Sequence, residues 1–111
     1  MDVNIYDEIY EIVRAIPEGR VTSYGAIAQC LSKVVSPRMV GYAMSLSHPV
    51  HPFVPAHRVV NRVGVLTGRH HFSDPDEMQR RLEAEGIQVI EHQIKDFEKI
   101  FWNPKEIINK F

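Results

Sequence analysis

The chain has 111 residues, a formal net charge of −1 and a charged fraction of 24%. This length predicts a single domain over residues 1–111, with a hydrophobic core of its own. The sequence contains no apolar run long enough to cross a bilayer and nothing that resembles a signal peptide, so we expect a cytoplasmic, monomeric protein without a membrane role. The single cysteine, Cys30, cannot form an intramolecular disulfide, and we interpret it as a small buried hydrophobe.

The charges are distributed unevenly along the chain. Residues 19–73 contain no Asp or Glu and six basic residues (+6), whereas the rest of the chain holds 7 basic and 14 acidic residues (−7). Such a basic segment is typical of a surface that faces phosphates. A solvated basic face without a partner is the alternative, and charge alone does not separate the two. The six residues are Arg20, Lys33, Arg38, Arg58, Arg62 and Arg69.

Three helices are predicted in the first half of the chain. Apolar residues recur at three- and four-residue spacing over residues 4–16, which predicts an amphipathic helix. A second, short helix is predicted over residues 24–31. Ser36 followed by Pro37 is an N-cap with proline at the first helical position, so a third helix should begin at Pro37 and end near Leu46. Two short helices joined by a brief turn predict a helix-turn-helix unit.

The third helix offers few long polar side chains that could reach base edges. Apart from Arg38, its surface positions include Gly41, Ala43 and Ser45. Small residues allow a close approach of the backbone, which favours a helix that lies in a narrow groove over one that reads a donor and acceptor pattern. Packing of Gly41 and Ala43 against the second helix is the alternative interpretation.

A small wing is predicted after the proline-rich loop of residues 47–56. Val59–Val60 and Val65–Leu66 are short β-branched or aliphatic stretches separated by a turn that contains Gly64, so we predict a β-hairpin with Arg62 at its tip. A hairpin of this kind beside a helix-turn-helix is a wing.

The last third of the chain is predicted to contain one more helix and a packed tail. Asp74 is an N-cap candidate followed by Pro75, and Gly86 ends the helix. A strand is possible at residues 87–90, and residues 91–111 form a tail that packs back on the core. The predicted fold class is therefore α+β, as a small, mostly helical winged helix-turn-helix domain with a short β-hairpin wing.

The histidines do not predict a metal site. His48 and His51 have a ligand-like spacing and His70 and His71 are adjacent, but residues 19–73 contain no carboxylate to complete a tetrahedral site. Contact with phosphate or DNA is the preferred interpretation for His70 and His71. We predict neither a metal nor a cofactor.

His57 has the surroundings of a catalytic base without a nucleophile. Its neighbours are Ala56 and Arg58, so no adjacent Ser, Thr or Cys could be activated. This stretch is typical of recognition rather than of covalent chemistry.

Several motifs together resemble one known family. They are Ile16-Pro17-Glu18-Gly19-Arg20-Val21-Thr22-Ser23-Tyr24-Gly25-Ala26-Ile27-Ala28, Arg38-Met39-Val40-Gly41-Tyr42-Ala43-Met44, Pro55-Ala56-His57-Arg58-Val59-Val60, Gly64 and Glu85-Gly86. In order and spacing they resemble the DNA-binding domain of O6-alkylguanine-DNA alkyltransferases over residues 5 to about 90. The family's nucleophile is the cysteine of a Pro-Cys-His-Arg motif. Since Ala56 stands there, the chain is more similar to the alkyltransferase-like proteins, which lack the acceptor cysteine.

The resemblance implies a role for each matching residue. Arg38 would enter the duplex where a damaged guanine is flipped out, and Tyr24 would help to rotate the nucleotide. His57 and Glu85 would be the vestigial base and its acidic partner. The implied DNA-binding residues are Tyr24, Pro37, Arg38, Met39, Gly41, Tyr42, Ala43, Arg58 and Arg62. The implied lesion pocket consists of Tyr24, Val54, Pro55, Ala56, Arg69 and Phe72.

The implied function is non-catalytic recognition of O6-alkylguanine in double-stranded DNA, by minor-groove docking and nucleotide flipping. The implied partners are this DNA and the nucleotide excision repair machinery. The chain departs from the family at the hinge asparagine, which falls near Ser47 and His48, and in a loop before Ala56 that is about one residue longer.

Three other functions remain open at this point. The chain could be a winged-helix transcription regulator that reads undamaged DNA, an enzyme that transfers the alkyl group to Cys30, or a structural interaction module. Cys30 lies on the helix before the third helix and far from His57 in sequence, which argues against transfer to this residue.

Overall fold

The computed structural model describes residues 4–108 and consists of short helices around two very small sheets. The helices are α1 (Ile5–Arg14), α2 (Tyr24–Ala28), α3 (Pro37–Ser45), α4 (Glu77–Ala84), α5 (Phe97–Ile100) and α6 (Lys105–Ile108). The strands are β1 (Thr22–Ser23), β2 (Val59–Val60), β3 (Val89–Ile90) and β4 (Gln93–Ile94), and 3₁₀ turns lie at Ala56–Arg58 and Thr67–His71. The predicted α+β class is confirmed.

The first three helices begin where side chains cap them. Asn4 Oδ1 accepts the N–H of Tyr6 at the start of α1, at 2.9 Å. Ser23 and Ser36 accept the third N–H of α2 and α3, each at 3.1 Å. These caps satisfy donors that have no partner inside the helix. The three helices therefore lie where the sequence predicts them, each ending one to three residues earlier than expected.

The predicted hairpin over residues 59–66 is wrong in its pairing. β2 pairs in parallel with β1, with Thr22 opposite Val59 and Ser23 opposite Val60. Asn61 explains the difference, because its side chain accepts the N–H groups of Val63 and Val65 at 3.0 and 2.8 Å and closes a turn. Val65 then bridges to Gln93 rather than continuing a ladder with β2.

The antiparallel hairpin lies later in the chain, between β3 and β4. Val89 faces Ile94 and Ile90 faces Gln93 across it. The residues of its turn, Glu91 and His92, adopt positive φ angles of 50° and 65°. The strand predicted over residues 87–90 is therefore shorter than expected. Its partner, β4, lies in residues 91–111, for which the sequence predicts only a packed tail.

Helix α4 begins two residues later than predicted. Asp74 accepts the N–H of Asp76 through its side chain at 2.9 Å, which forms a turn before the helix. The helix proper starts at Glu77 and buries Met78 and Leu82. Pro75 therefore belongs to the turn and not to the first helical position.

The core has two parts. One part unites α1, α2 and α3 through Ile9, Val13, Ile16, Ile27, Val40, Ala43 and Met44, and it includes Trp102 from the last segment. The other part unites β2, α4 and β4 through Val60, Leu66, Met78, Leu82 and Ile94. The N–H of Trp102 donates to the carbonyl of Val21 at 2.7 Å, so the described part of the tail packs on the core. Among residues 4–108, no helix is long and apolar enough to span a membrane.

Candidate nucleic-acid interface

Helix α3 is fixed to the core through one face. Val40, Ala43 and Met44 are buried, and the hydroxyl of Tyr10 in α1 donates to the carbonyl of Ala43 at 2.9 Å. The side chain of Ala43 has no exposed surface. Ala43 was predicted at the DNA surface, but the structure places it in the core, in agreement with the packing alternative.

The opposite face of α3 is exposed and carries the other predicted residues. Pro37, Arg38, Met39 and Tyr42 are exposed, and Gly41 is half-buried. Within residues 4–108, Arg38 has no ion-pair partner. A guanidinium at the first turn of an exposed helix is therefore free to bind an incoming anion or base.

Tyr24 lies beside this face, at the start of α2. Its ring is 3.8 Å from the position that a Cβ on Gly41 would occupy. Its hydroxyl oxygen is 2.9 Å from the position that a Cβ on Gly68 would occupy. The hydroxyl of Thr67 donates to Tyr24 Oη at 3.4 Å. Burial raises the pKa of Tyr24, so its hydroxyl keeps its proton. The glycine at position 68 thus makes room for a hydroxyl that can serve as a donor.

A cavity of about 200 Å³ opens beside Ala56. Three of the six residues that the resemblance implies for a lesion pocket line it, namely Val54, Ala56 and Phe72. Ala56 is 7% exposed and Val54 is 4% exposed, so both line the cavity from within the core. The cavity therefore presents apolar side chains at Val54 and Ala56.

The cavity at Ala56 continues toward α3. A narrow cleft bordered by Ala56 and Tyr24 follows it, and the next cleft is bordered by Tyr24, Arg38 and Gly41. Phe72 borders the first two of these spaces. These three adjacent spaces share lining residues and together form a depression between the exposed guanidinium of Arg38 and the buried methyl group of Ala56.

Several residues that line the cavity were missed by the sequence analysis. They are His48, Phe53, His71, Ser73, Glu77 and Arg81. The guanidinium carbon of Arg81 lies 5.8 Å from the ring centroids of both Phe53 and Phe72, and Arg81 Nη2 is 2.7 Å from Glu77 Oε2. The spacing of the histidines was the available signal in the sequence. Nothing in the sequence indicated that α4 would contribute Glu77 and Arg81.

Some predicted residues do not border the cavity. Pro55 is buried next to Ala56 without lining it, and the guanidinium of Arg69 donates to the carbonyl of Leu66 at 2.9 Å. Arg62 is exposed in the turn closed by Asn61. Pro55, Arg69 and Arg62 therefore lie outside the cavity lining, which includes Val54, Ala56 and Phe72.

Arg58 points inward and is not available to DNA. Its guanidinium donates to both oxygens of Glu85 at 3.0 to 3.1 Å and to the carbonyl of Ile16 at 3.0 Å. The side chain of Arg58 is 16% exposed and that of Glu85 is 8% exposed. The expected DNA contact of Arg58 is therefore wrong: Arg58 forms an internal ion pair, because the buried carboxylate of Glu85 needs a cation.

Glu85 is the centre of a hydrogen-bond network that includes His57. Glu85 Oε2 lies 2.6 Å from His57 Nε2, and Glu85 Oε1 accepts the N–H of Gly19 at 2.8 Å. Gly19 has a φ of 82°, a conformation that favours glycine. The predicted pairing of His57 with Glu85 is thus present in the structure.

The network determines the protonation of both groups. Burial alone would raise the pKa of Glu85, but the hydrogen bonds from Arg58, Gly19 and His57 lower it from 4.5 to about 2. Burial lowers the pKa of His57 below 6.5, although the hydrogen bond and the charge of Glu85 act in the opposite direction. An ionised carboxylate can only accept, so Nε2 of the neutral imidazole carries the proton. Nδ1 is buried and has no hydrogen-bond partner among residues 4–108.

Residues 4–87 match the family model described as 6-O-methylguanine DNA methyltransferase, DNA binding domain. The chain belongs to this family. It is 32% identical to alkyltransferase-like protein 1 of Schizosaccharomyces pombe, over 89% of this chain and 94% of that protein. It is 36% identical to the DNA base-flipping protein of Escherichia coli, over 86% of this chain and 71% of that protein. The chain is thus an alkyltransferase-like family member, and the resemblance drawn from its motifs is confirmed.

The same relationship is found among solved structures. The crystal structure of S. pombe Atl1 in complex with damaged DNA containing O6-carboxymethylguanine matches this alkyltransferase-like chain with a TM-score of 0.75 and 33% identity, covering 92% of this chain and 98% of that chain. A crystal structure of S. pombe ATL in complex with DNA matches with a TM-score of 0.74 and 32% identity. The fold of this chain therefore has counterparts in proteins whose structures were solved in complex with DNA.

Proposed function

We propose that this protein binds double-stranded DNA that contains O6-alkylguanine and holds the flipped base without removing the alkyl group. One observation supports this most directly: a depression of three adjacent spaces, which share lining residues, lies between the exposed Arg38 and Ala56 and passes Tyr24. A base rotated out of the stack beside α3 would enter this depression. The relatives described as a base-flipping protein and as a complex with O6-carboxymethylguanine DNA support the same function.

Each side chain along the depression has a physical task in this proposal. Arg38 occupies the space that the flipped nucleotide leaves in the duplex, where a planar cation can stack on and hydrogen-bond with bases. The protonated hydroxyl of Tyr24 donates to the rotating nucleotide. Ala56 packs against the base through its methyl group.

The absence of transfer follows from the residue at position 56. A methyl group has no lone pair, so Ala56 cannot attack the alkyl carbon. The lesion would remain intact and bound, which suits a protein that marks damage for other repair factors. Recruitment of nucleotide excision repair remains a prediction from the family resemblance.

A competitive titration tests the proposal. Matched duplexes with and without a single O6-methylguanine compete for the protein, and the recovered protein is weighed by mass spectrometry. We expect selective binding of the damaged duplex and an unchanged protein mass. Equal affinity for both duplexes would contradict lesion recognition and favour a regulator of undamaged DNA, whereas a mass increase would show transfer, for example to Cys30.

A further inference from the structure

The cavity at Ala56 has a polar end, formed by Ser73, Glu77 and Arg81, to which the proposed function assigns no task. All three side chains line this cavity. They do not border the narrow cleft between Ala56 and Tyr24, which adjoins the cavity. The polar end therefore belongs to the part of the depression that does not reach Tyr24.

The side chains of the polar end are connected to one another. The hydroxyl of Ser73 donates to Oε1 of Glu77. Oε2 of Glu77 lies 2.7 Å from Nη2 of Arg81, at positions i and i+4 of α4. The hydrogen bond from Ser73 lowers the pKa of Glu77, and the charge of Arg81 acts in the same direction, so the carboxyl group is ionised at neutral pH. The polar end thus presents a carboxylate acceptor next to a guanidinium donor.

Aromatic rings hold the guanidinium of Arg81 at the cavity. Its central carbon lies 5.8 Å from the ring centroids of both Phe53 and Phe72. The ring of Phe72 in turn packs edge-on against His48, with 4.7 Å between the centroids. A guanidinium has more N–H donors than one carboxylate can accept. Arg81 is therefore held in place and still has donors for a ligand.

The length of the alkyl group decides whether it reaches the polar end. Residue 56 occupies the position of the family's acceptor, so in the proposed complex the first carbon of the alkyl group lies beside Ala56. A methyl group ends at this point. A longer group continues into the rest of the cavity, where Glu77 and Arg81 form part of the lining.

The charges of the cavity favour a neutral, hydrogen-bonding group at the end of the alkyl chain. The lining holds one formal positive charge, on Arg81, and one formal negative charge, on Glu77. A carboxylate bound to Arg81 would lie close to the like charge of Glu77, which repels it. An apolar end would cover both charged groups without offering either a hydrogen bond. A hydroxyl can donate to Glu77 and accept from Arg81, so it satisfies both.

We propose that Glu77 and Arg81 select O6-alkylguanines whose alkyl group ends in a hydroxyl, of which the hydroxyethyl adduct is the simplest. This rests on the proposed function and names the class of lesion that the protein binds best. The hydroxyl donates to the carboxylate of Glu77 and accepts an N–H of Arg81, while the alkyl carbons pack against Ala56 and Phe72. A site that hydrogen-bonds a hydroxyl discriminates against an analogue without it, because the partner groups are then left unpaired.

The test is a competition among matched duplexes for the 111-residue protein. One duplex is unmodified, and the others carry a single O6-methylguanine, O6-propylguanine, O6-hydroxyethylguanine or O6-carboxymethylguanine. Propyl and hydroxyethyl groups have nearly the same size and differ in the terminal methyl or hydroxyl. We expect the hydroxyethyl duplex to bind about three- to tenfold more tightly than the propyl duplex. The carboxymethyl duplex should bind more weakly than the hydroxyethyl duplex.

Arg81→Met tests the donor of the polar end. Methionine keeps a long, unbranched side chain beside the two rings but has no N–H to donate. We expect this variant to lose the preference for hydroxyethyl over propyl and to keep the selection of O6-methylguanine over the unmodified duplex. Arg80→Met is the control, because it removes the same charge from the next position of α4, where Arg80 pairs with Asp74. It should retain the wild-type preference.

Glu77→Gln tests the balance of charge. Glutamine still accepts a hydrogen bond, but the cavity lining would then carry a net positive charge from Arg81. The affinity for the carboxymethyl duplex should rise about tenfold relative to that for the hydroxyethyl duplex. A merely structural role of Glu77 would not shift this ratio.

The outcomes separate this inference from the function on which it rests. Equal binding of hydroxyethyl and propyl duplexes by the wild type, or an unchanged order of preference in Arg81→Met and Glu77→Gln, would overturn the inference. An equal loss on all damaged duplexes in Arg81→Met would assign Arg81 to the support of Phe53 and would also overturn it. These results leave the proposed function standing if the wild type selects O6-methylguanine over the unmodified duplex. Without that selection, the proposed function itself is contradicted, and the inference falls with it.

Discussion

Nε2 of His57 lies 2.6 Å from Oε2 of Glu85. The residue before His57 is Ala56, whose side chain has no acidic proton for this histidine to accept. The carboxylate also binds Arg58 and the N–H of Gly19, so its charge is satisfied from three directions. A buried carboxylate without these donors would strongly destabilise the fold. The pair therefore has a structural task that is independent of chemistry at residue 56.

We expect Ala56→Cys to restore some alkyl transfer. Nδ1 of His57 is buried, carries a lone pair and has no partner among residues 4–108, so a nearby thiol could lose its proton to this base. We expect an alkyl adduct on the introduced cysteine after incubation with O6-methylguanine DNA, located by mass spectrometry of the digested protein. Adding His57→Gln should slow adduct formation by roughly 10²–10⁴-fold. An equal rate in both variants would contradict a role for His57 as base.

Arg38→Ala should reduce lesion discrimination more than total affinity. Arg38 is exposed and has no described ion-pair partner, so its removal leaves no unpaired charge behind and does not disturb the fold. Competition between matched damaged and unmodified duplexes measures the effect, and Arg62→Ala, which removes another exposed arginine, is the control. Equal losses on both duplexes would show that Arg38 contributes charge only.

Stability should fall at acidic pH through Glu85. The folded pKa of about 2 lies below the usual value of 4.5, so the ionised form stabilises the fold. This contribution is fully present above about pH 4.5 and is lost as the pH falls toward about 2. His57 acts earlier, because its pKa is lowered from 6.5 and the unfolded chain binds a proton more readily below that pH. Urea unfolding at a series of pH values measures both effects.

Glu85→Gln is the matched variant for this experiment. It keeps the shape of the side chain but leaves Arg58 without its anion, so we expect a large loss of stability at pH 7, about 3–5 kcal/mol. The dependence of stability on pH between about 4.5 and 2 should become shallower. If the stability of Glu85→Gln fell with decreasing pH as steeply as that of the wild type, other carboxylates would be the cause of the loss.

Gly68→Ala should lower both stability and lesion selectivity, because the added methyl group displaces Tyr24. The added Cβ would lie 2.9 Å from Tyr24 Oη, which is closer than real Cβ contacts. We expect a displaced Tyr24, a stability loss of about 1–3 kcal/mol and weaker selection of the damaged duplex. Thermal unfolding and competitive binding measure these changes.

Tyr24→Phe provides the matching test for the Gly68 contact. Removing the hydroxyl relieves the collision, so Gly68→Ala should cost much less stability in the Tyr24→Phe background. Additive effects of the two substitutions would contradict the predicted contact.

Local signals in the sequence are sufficient to place the first three helices of this protein. Periodic apolar residues and capping side chains decide the positions of α1, α2 and α3, because these signals act within one helical turn. The motifs also identified the family and paired His57 with Glu85 through resemblance. No local signal could predict the pairing of His57 with Glu85, since 28 residues separate them in the sequence.

Packing between distant segments establishes which surfaces of the protein meet. The apolar residues of β2 suit a hairpin or a parallel partner equally well, and β1, from a distant part of the sequence, determined the choice. In the same way, α4 packs near the loop before Ala56 and places Arg81 next to Phe53. Arg81, Phe53 and Ala56 therefore line the same cavity. Ala43 and Arg58 also became interior residues through long-range packing and a buried carboxylate. Contacts between distant segments depend on the whole fold, and the local pattern of residues does not encode them.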